Sequence, residues 1–134
     1  MAGRLATNFR ELEVYQRAKT VARDVFQATS AFPREETYAL TDQLRRSSRS
    51  IAAQIAEAWG KRWCPRHFRS KLTDADAEQL EAQHWVGVAL DCGYLGTKQA
   101  QDLLEELGCI GRMLNSMMEK ARLFAREAGP DVEH

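Results

Sequence analysis

No stretch of this sequence approaches the roughly 18 consecutive apolar residues that a membrane-spanning helix requires, so no membrane partner is expected. The opening segment, Met1-Ala2-Gly3-Arg4-Leu5-Ala6-Thr7, lacks the apolar core of a signal peptide, and a cytoplasmic location is the expectation. Cysteine is scarce: Cys64, Cys92 and Cys109 are odd in number and form no C-x-x-C pair. They read as free thiols in a reducing compartment. Three prolines and eight glycines in 134 residues leave few breakers, so long helices are permitted. Period-2 alternation is absent and β-branched residues are few, which leaves no convincing strand. Neither low-complexity segments nor internal repeats are present.

What is present is helical periodicity. Hydrophobic residues make up 44% of the chain and charged residues 28%, a balance that suits one folded domain with one core. A first helix is expected from about Phe9 to Thr29, with Val14, Ala18, Val21, Val25 and Ala28 on one face and Tyr15, Ala22 and Phe26 widening it. Phe32-Pro33 closes that segment. A second helix is expected from about Tyr38 to Trp59, inner positions Leu40, Leu44, Ser47, Ile51, Ile55 and Ala58, with Gly60 as its left-handed stop. Pro65 suits the first turn of a third helix reaching Asp91 or Cys92. Its inner face is Phe68, Leu72, Ala75, Ala82, Val86 and Ala89, with Gln79 interrupting the seam and Leu80, Trp85 and Val88 forming a second apolar edge. The fourth helix starts at an N-cap, Thr97, and carries Leu103, Leu107, Ile110, Leu114, Met117, Ala121 and Phe124 in unbroken 4-3 spacing up to Gly129-Pro130. Four long helices with short connections predict an all-α fold, an antiparallel four-helix bundle. The expected organisation is a flexible N-terminus (residues 1–8), one bundle domain (9–128) and a C-terminal tail (129–134).

Residues that carry chemistry are sparse. Phosphate-binding glycine loops and nucleophile elbows are absent, so no enzyme activity, catalytic residue or cofactor is expected. A di-iron site in a bundle needs an E-x-x-H motif on each of two helices. Only Glu81-Ala82-Gln83-His84 supplies one, so no metal site is expected. Cys64 and His67 lie close together beside basic residues, but nothing orients them as a nucleophilic pair, and a surface thiol is the simpler reading.

The charge distribution is more informative than its net value of zero. Residues 34–71 hold nine lysines and arginines against four acids, whereas residues 72–106 hold one against eight. The basic half concentrates in Arg45, Arg46 and Arg49, then Lys61, Arg62, Arg66, Arg69 and Lys71, with Trp59 and Trp63 interleaved. Basic side chains beside exposed aromatics can grip phosphates and stack on bases. The same arginines can pair with Asp42, Glu57 or the acids of another subunit, since guanidinium suits interface ion pairs equally. Arg45, Arg46, Arg49, Lys61, Arg62 and Arg66 are therefore the candidate nucleic-acid-binding residues. A purely structural, self-assembling protein is the alternative.

An ordered set of motifs runs through most of the chain. Leu12-Glu13-Val14-Tyr15, Phe32-Pro33 and Glu36-Thr37-Tyr38-Ala39-Leu40 come first, then Gln43-Leu44-Arg45-Arg46. Ser50-Ile51-Ala52-Ala53-Gln54-Ile55-Ala56-Glu57-Ala58-Trp59-Gly60-Lys61-Arg62 follows, and later Gly93-Tyr94-Leu95 and Ile110-Gly111-Arg112-Met113-Leu114-Asn115. This set resembles the four-helix bundle proteins encoded in intervening sequences of 23S rRNA genes, and the related accessory variability determinant proteins of diversity-generating retroelements. The resemblance implies an up-and-down bundle assembled as a homopentamer. For the retroelement branch it also implies binding of RNA or DNA and of a reverse transcriptase, carried here by Arg45, Arg46 and Arg62. The chain departs from the family pattern at Gln54, Ala58 and Ala77-Glu78, where members usually have Asn, Gly and Gly-Ser.

Overall fold

The computed structural model describes residues 6–129. Of the two expected tails, residues 1–5 and 130–134 lie outside the described residues. Five α-helices and no strand are present among the described residues: α1 (Glu13–Thr29), α2 (Asp42–Gly60), α3 (Pro65–Asp91), α4 (Thr97–Glu119) and α5 (Ala121–Ala128).

The core follows the hydrophobic spacing. Val14, Ala18, Val21 and Val25 of α1 are buried, as are Leu44, Ile51, Ile55 and Ala58 of α2. Phe68, Leu72, Ala75, Ala82, Val86 and Ala89 of α3 meet Leu103, Leu107, Ile110 and Leu114 of α4 in the same cluster. Each large buried side chain contributes about 1.5–3 kcal/mol of transfer free energy. Every long helix packs on two others, α1 on α2 and α4, and α3 on α2 and α4. Pairs across α2 and α3 run in reverse order along the two helices: Arg46 meets Glu78 and Glu81, while Glu57 meets Lys71.

Gln79, the polar interruption of the α3 seam, is only 3% exposed. Its amide donates to Asp76 Oδ1 at 2.9 Å and accepts from Gln83 at 2.7 Å. Gly111 of α4 makes room for it, since a Cβ there would lie 2.8 Å from Gln79 Nε2. At the far end of α3, Gly93 takes a φ of 78°. The N–H groups of Gly93 and Tyr94 then bond to Leu90 O and Ala89 O, satisfying the last carbonyls of the helix.

Several boundaries differ from expectation. The segment before α1 is a separate 3₁₀ turn, Phe9–Glu11, because Leu12 is extended with ψ at 129°. A π-helical turn, Thr37–Thr41, leads into α2. Gly60 is not left-handed; the chain leaves α2 through three-residue turns, Lys61 N–H to Ala58 O and Arg62 N–H to Trp59 O. Thr97 is the first residue of α4 rather than its cap, a place taken by Gly96 with ψ at 161°. The expected fourth helix is two helices. It bends at Lys120, which has ψ at 17°. The bend turns α5 onto α3 and brings the Phe124 ring within 5.0 Å of Phe68 and 6.5 Å of Trp59. Leu80, expected on an apolar edge, is 55% exposed, while Trp85 and Val88 pack on the core.

Candidate functional site

The six basic candidates separate into two groups. Arg45 is committed to the fold. Its Nε donates to Thr29 Oγ1 at 2.7 Å, Nη2 reaches Phe26 O at 3.4 Å, and the guanidinium lies 4.5 Å over the Phe26 ring. It thereby places positive charge at the C-terminal turn of α1, where the helix dipole favours a cation. Arg46 is committed as well, to Glu78 at 3.3 Å and to Glu81. The hydrogen bond to Glu81 pushes the Arg46 pKa above its ordinary value. Glu81 is held below the usual carboxylate range, first by the Trp85 indole N–H and then by Arg46. Arg62 stacks 4.0 Å over Trp59 and donates to Trp59 O at 2.9 Å; burial lowers its pKa.

Arg49, Lys61 and Arg66 are exposed and make no ion pair among the described residues. Arg49 lies over Phe26 at 5.5 Å, next to Arg45. Lys61 and Arg66 sit at the opposite end of α2, where the connector enters α3. Sequence reasoning missed what gathers there. The bend at Lys120 carries Arg122 and Arg126 of α5 alongside Arg66 and Arg69 of α3, and the four arginines line an open hollow of about 480 Å³ with Cys64, Pro65 and Ala125. No carboxylate lines it. Arg69 donates a 3.3 Å bond from Nε to Met118 O, at the C-terminal end of α4. Four arginines line one open surface with no acid among them, and guanidinium groups can bind phosphates through charge-assisted hydrogen bonds. The spacing of Arg122 and Arg126 places them on one helical face, but only the bend shows which neighbours they meet.

Groups of three or more His, Cys, Asp or Glu side chains arranged to hold a metal ion are absent among the described residues. The carboxylate of Glu81 is occupied by Arg46 and Trp85, and His84 packs edge-on against Trp85 at 4.7 Å. His67 packs likewise on Trp63 at 5.8 Å. No helix among the described residues is long and apolar enough to cross a membrane.

The profile of the 23S rRNA-intervening sequence protein family matches residues 10–116. The chain belongs to this family. The chain is similar in fold to the crystal structure of a protein of unknown function from the S23 ribosomal protein family of Bacteroides thetaiotaomicron. The two share 21% identity with a TM-score of 0.69, over 79% of this chain and 98% of that one. No curated protein matches. The family match ends before Arg122 and Arg126, so two of the four arginines of the hollow lie on the segment beyond it.

Proposed function

We propose that this chain is a non-catalytic, cytoplasmic, self-associating interaction protein that binds RNA or DNA through its basic end. The long helices form an up-and-down antiparallel four-helix bundle in this reading, and α5 is an added arm that completes the phosphate-binding surface. The observation that carries it is the hollow ringed by Arg66, Arg69, Arg122 and Arg126 without an acid. Lys61, at the same end of α2, extends the positive surface beyond that hollow. A homopentamer, as the family resemblance suggests, would repeat the basic end in every copy and raise avidity through multivalency. A reverse transcriptase is the protein partner the retroelement resemblance suggests. The names of the family and of the solved relative both refer to ribosomal components, which makes RNA the first probe.

The test is fluorescence anisotropy at low salt with labelled mixed-sequence RNA and DNA, using wild type and the Arg66→Glu/Arg122→Glu variant. Reversing two of four phosphate-facing charges lowers affinity more than about tenfold, at roughly 1 kcal/mol or more per contact. Unchanged affinity in that variant removes the basic end as the binding surface.

A purely structural reading is favoured by the engagement of Arg45, Arg46 and Arg62 inside the chain. It predicts assembly without any nucleic-acid binding in the same titration.

A further inference from the structure

A second concave surface lies away from the basic end. Between α1 and α2 runs a groove of about 540 Å³ lined by Ala22, Ala52, Ala53 and Ala56 together with Phe26. Phe26 is 45% exposed, so a large apolar surface there is uncovered in a single chain. Three cations, Lys19, Arg23 and Arg49, line the groove, and no carboxylate does. An alanine lining lets another helix approach closely, because small side chains shorten the distance between packed axes.

The outward face of α3 has the complementary properties. Ala77, Leu80 and His84 are exposed at helical spacing, with Leu80 at 55%. Around Leu80, the segment Asp74–Glu81 carries four carboxylates, Asp74, Asp76, Glu78 and Glu81, and no cation. Glu78 and Glu81 already serve Arg46. Asp74 lies 3.8 Å from Lys71, its only ion pair among the described residues. Asp76 accepts a hydrogen bond from Gln79 and enters no ion pair there. Both carboxylates therefore have charge left for an outside partner.

We infer that the groove between α1 and α2 receives the Leu80 ridge of α3 from a second copy of this chain. This rests on the self-association in the reading above and adds the two surfaces that meet. Leu80 enters among the alanines beside Phe26, and Asp74 and Asp76 face the cations of the groove. Pairing two grooves about a two-fold axis would set Arg23 and Arg49 against their own copies, a like-charge contact that is strongly unfavourable. The groove therefore takes a ridge rather than a second groove, and the contact joins two unlike surfaces of the chain.

The inference is tested by light scattering on the full chain. A groove variant, Arg23→Glu/Ala53→Glu, and a ridge variant, Leu80→Lys, change exposed positions, and circular dichroism verifies that each stays helical. Wild type assembles, and each variant alone falls to monomer or associates at least tenfold more weakly. Mixed together, the two variants form a one-to-one dimer, because the groove variant keeps a sound ridge and the ridge variant a sound groove. Variants that assemble like wild type, or that fail to combine on mixing, overturn the assigned surfaces while leaving self-association standing. A wild type that stays monomeric throughout the accessible concentration range overturns both.

Discussion

Arg45 ties the start of α2 to the end of α1 through a 2.7 Å hydrogen bond to Thr29 Oγ1, with the Phe26 ring stacked beneath its guanidinium. Arg45, a candidate ligand contact in the sequence, thus also packs between the two helices. Arg45→Ala should lower stability by about 1–2 kcal/mol, the sum of a helix-terminus charge and a part-buried hydrogen bond. Arg45→Lys keeps the charge but loses the planar fork and recovers only part of that loss. Urea denaturation measures both, and nucleic-acid affinity of the folded Arg45→Ala variant should stay within about twofold of wild type, since Arg45 makes no phosphate contact in this account.

The contact between Gly111 and Gln79 gives a second prediction. Gly111→Ala introduces a Cβ 2.8 Å from Gln79 Nε2 and 3.3 Å from Asp76 Oδ1. Helix propensity favours alanine by about 1 kcal/mol, but the displaced, hydrogen-bonded amide costs more, and a net loss of about 1–2 kcal/mol is expected. Gln79→Ala in the same background relieves the clash, so the double variant is more stable than the sum of the singles. Additive losses in a double-mutant cycle would show that the two residues do not press on each other.

Acid should weaken the tie between α2 and α3. Glu81 titrates below its ordinary range in the folded chain, through Trp85 and then Arg46. Its stabilising contribution is complete above the unfolded carboxylate range and is lost as pH falls through the lowered value. The side chains of Arg46 and Glu81 are 47% and 37% exposed, so solvent screening keeps the effect below about 1 kcal/mol. Glu81→Gln should flatten the acid limb of the stability profile by that amount. An acid limb identical to wild type would mean that Glu81 carries none of it.

Much of the fold is legible in the sequence because burial follows spacing. All six inner positions expected for the second helix, from Leu40 in the π-helical turn to Ala58 in α2, are buried, as are the six apolar ones named for α3. The bend at Lys120 is not legible, because Met117 and Ala121 are buried on either side of it and Phe124 packs on the core beyond them, so the hydrophobic phase continues through the break. The basic connector stands out as a run of charge, yet Arg45, Arg62 and Arg66 look alike on the page. Only packing separates a guanidinium that meets Thr29 or Trp59 from one that faces solvent. Arg122 and Arg126 were invisible as site residues because their neighbours come from far earlier in the chain.

Phe124 links the bend to the basic end. Its ring lies 5.0 Å from Phe68, and it anchors α5 beside the start of α3. Phe124→Ala should cost about 2–3 kcal/mol, less than a fully buried phenylalanine, and should loosen Arg122 and Arg126 from Arg66 and Arg69. Hydrogen exchange should then be faster in α5 than in α4, together with weaker nucleic-acid binding. Protection in α5 equal to wild type would show that the arm is held by other contacts.

Binding of labelled RNA by the wild-type chain across a salt series tests the account most directly. Four phosphate contacts at the arginine hollow give a log affinity that falls against log salt with a slope of about −3 for single strands and nearer −4 for duplex. Anisotropy should show binding at low salt and that slope. Absence of binding at low salt, or an affinity indifferent to salt, would contradict the account.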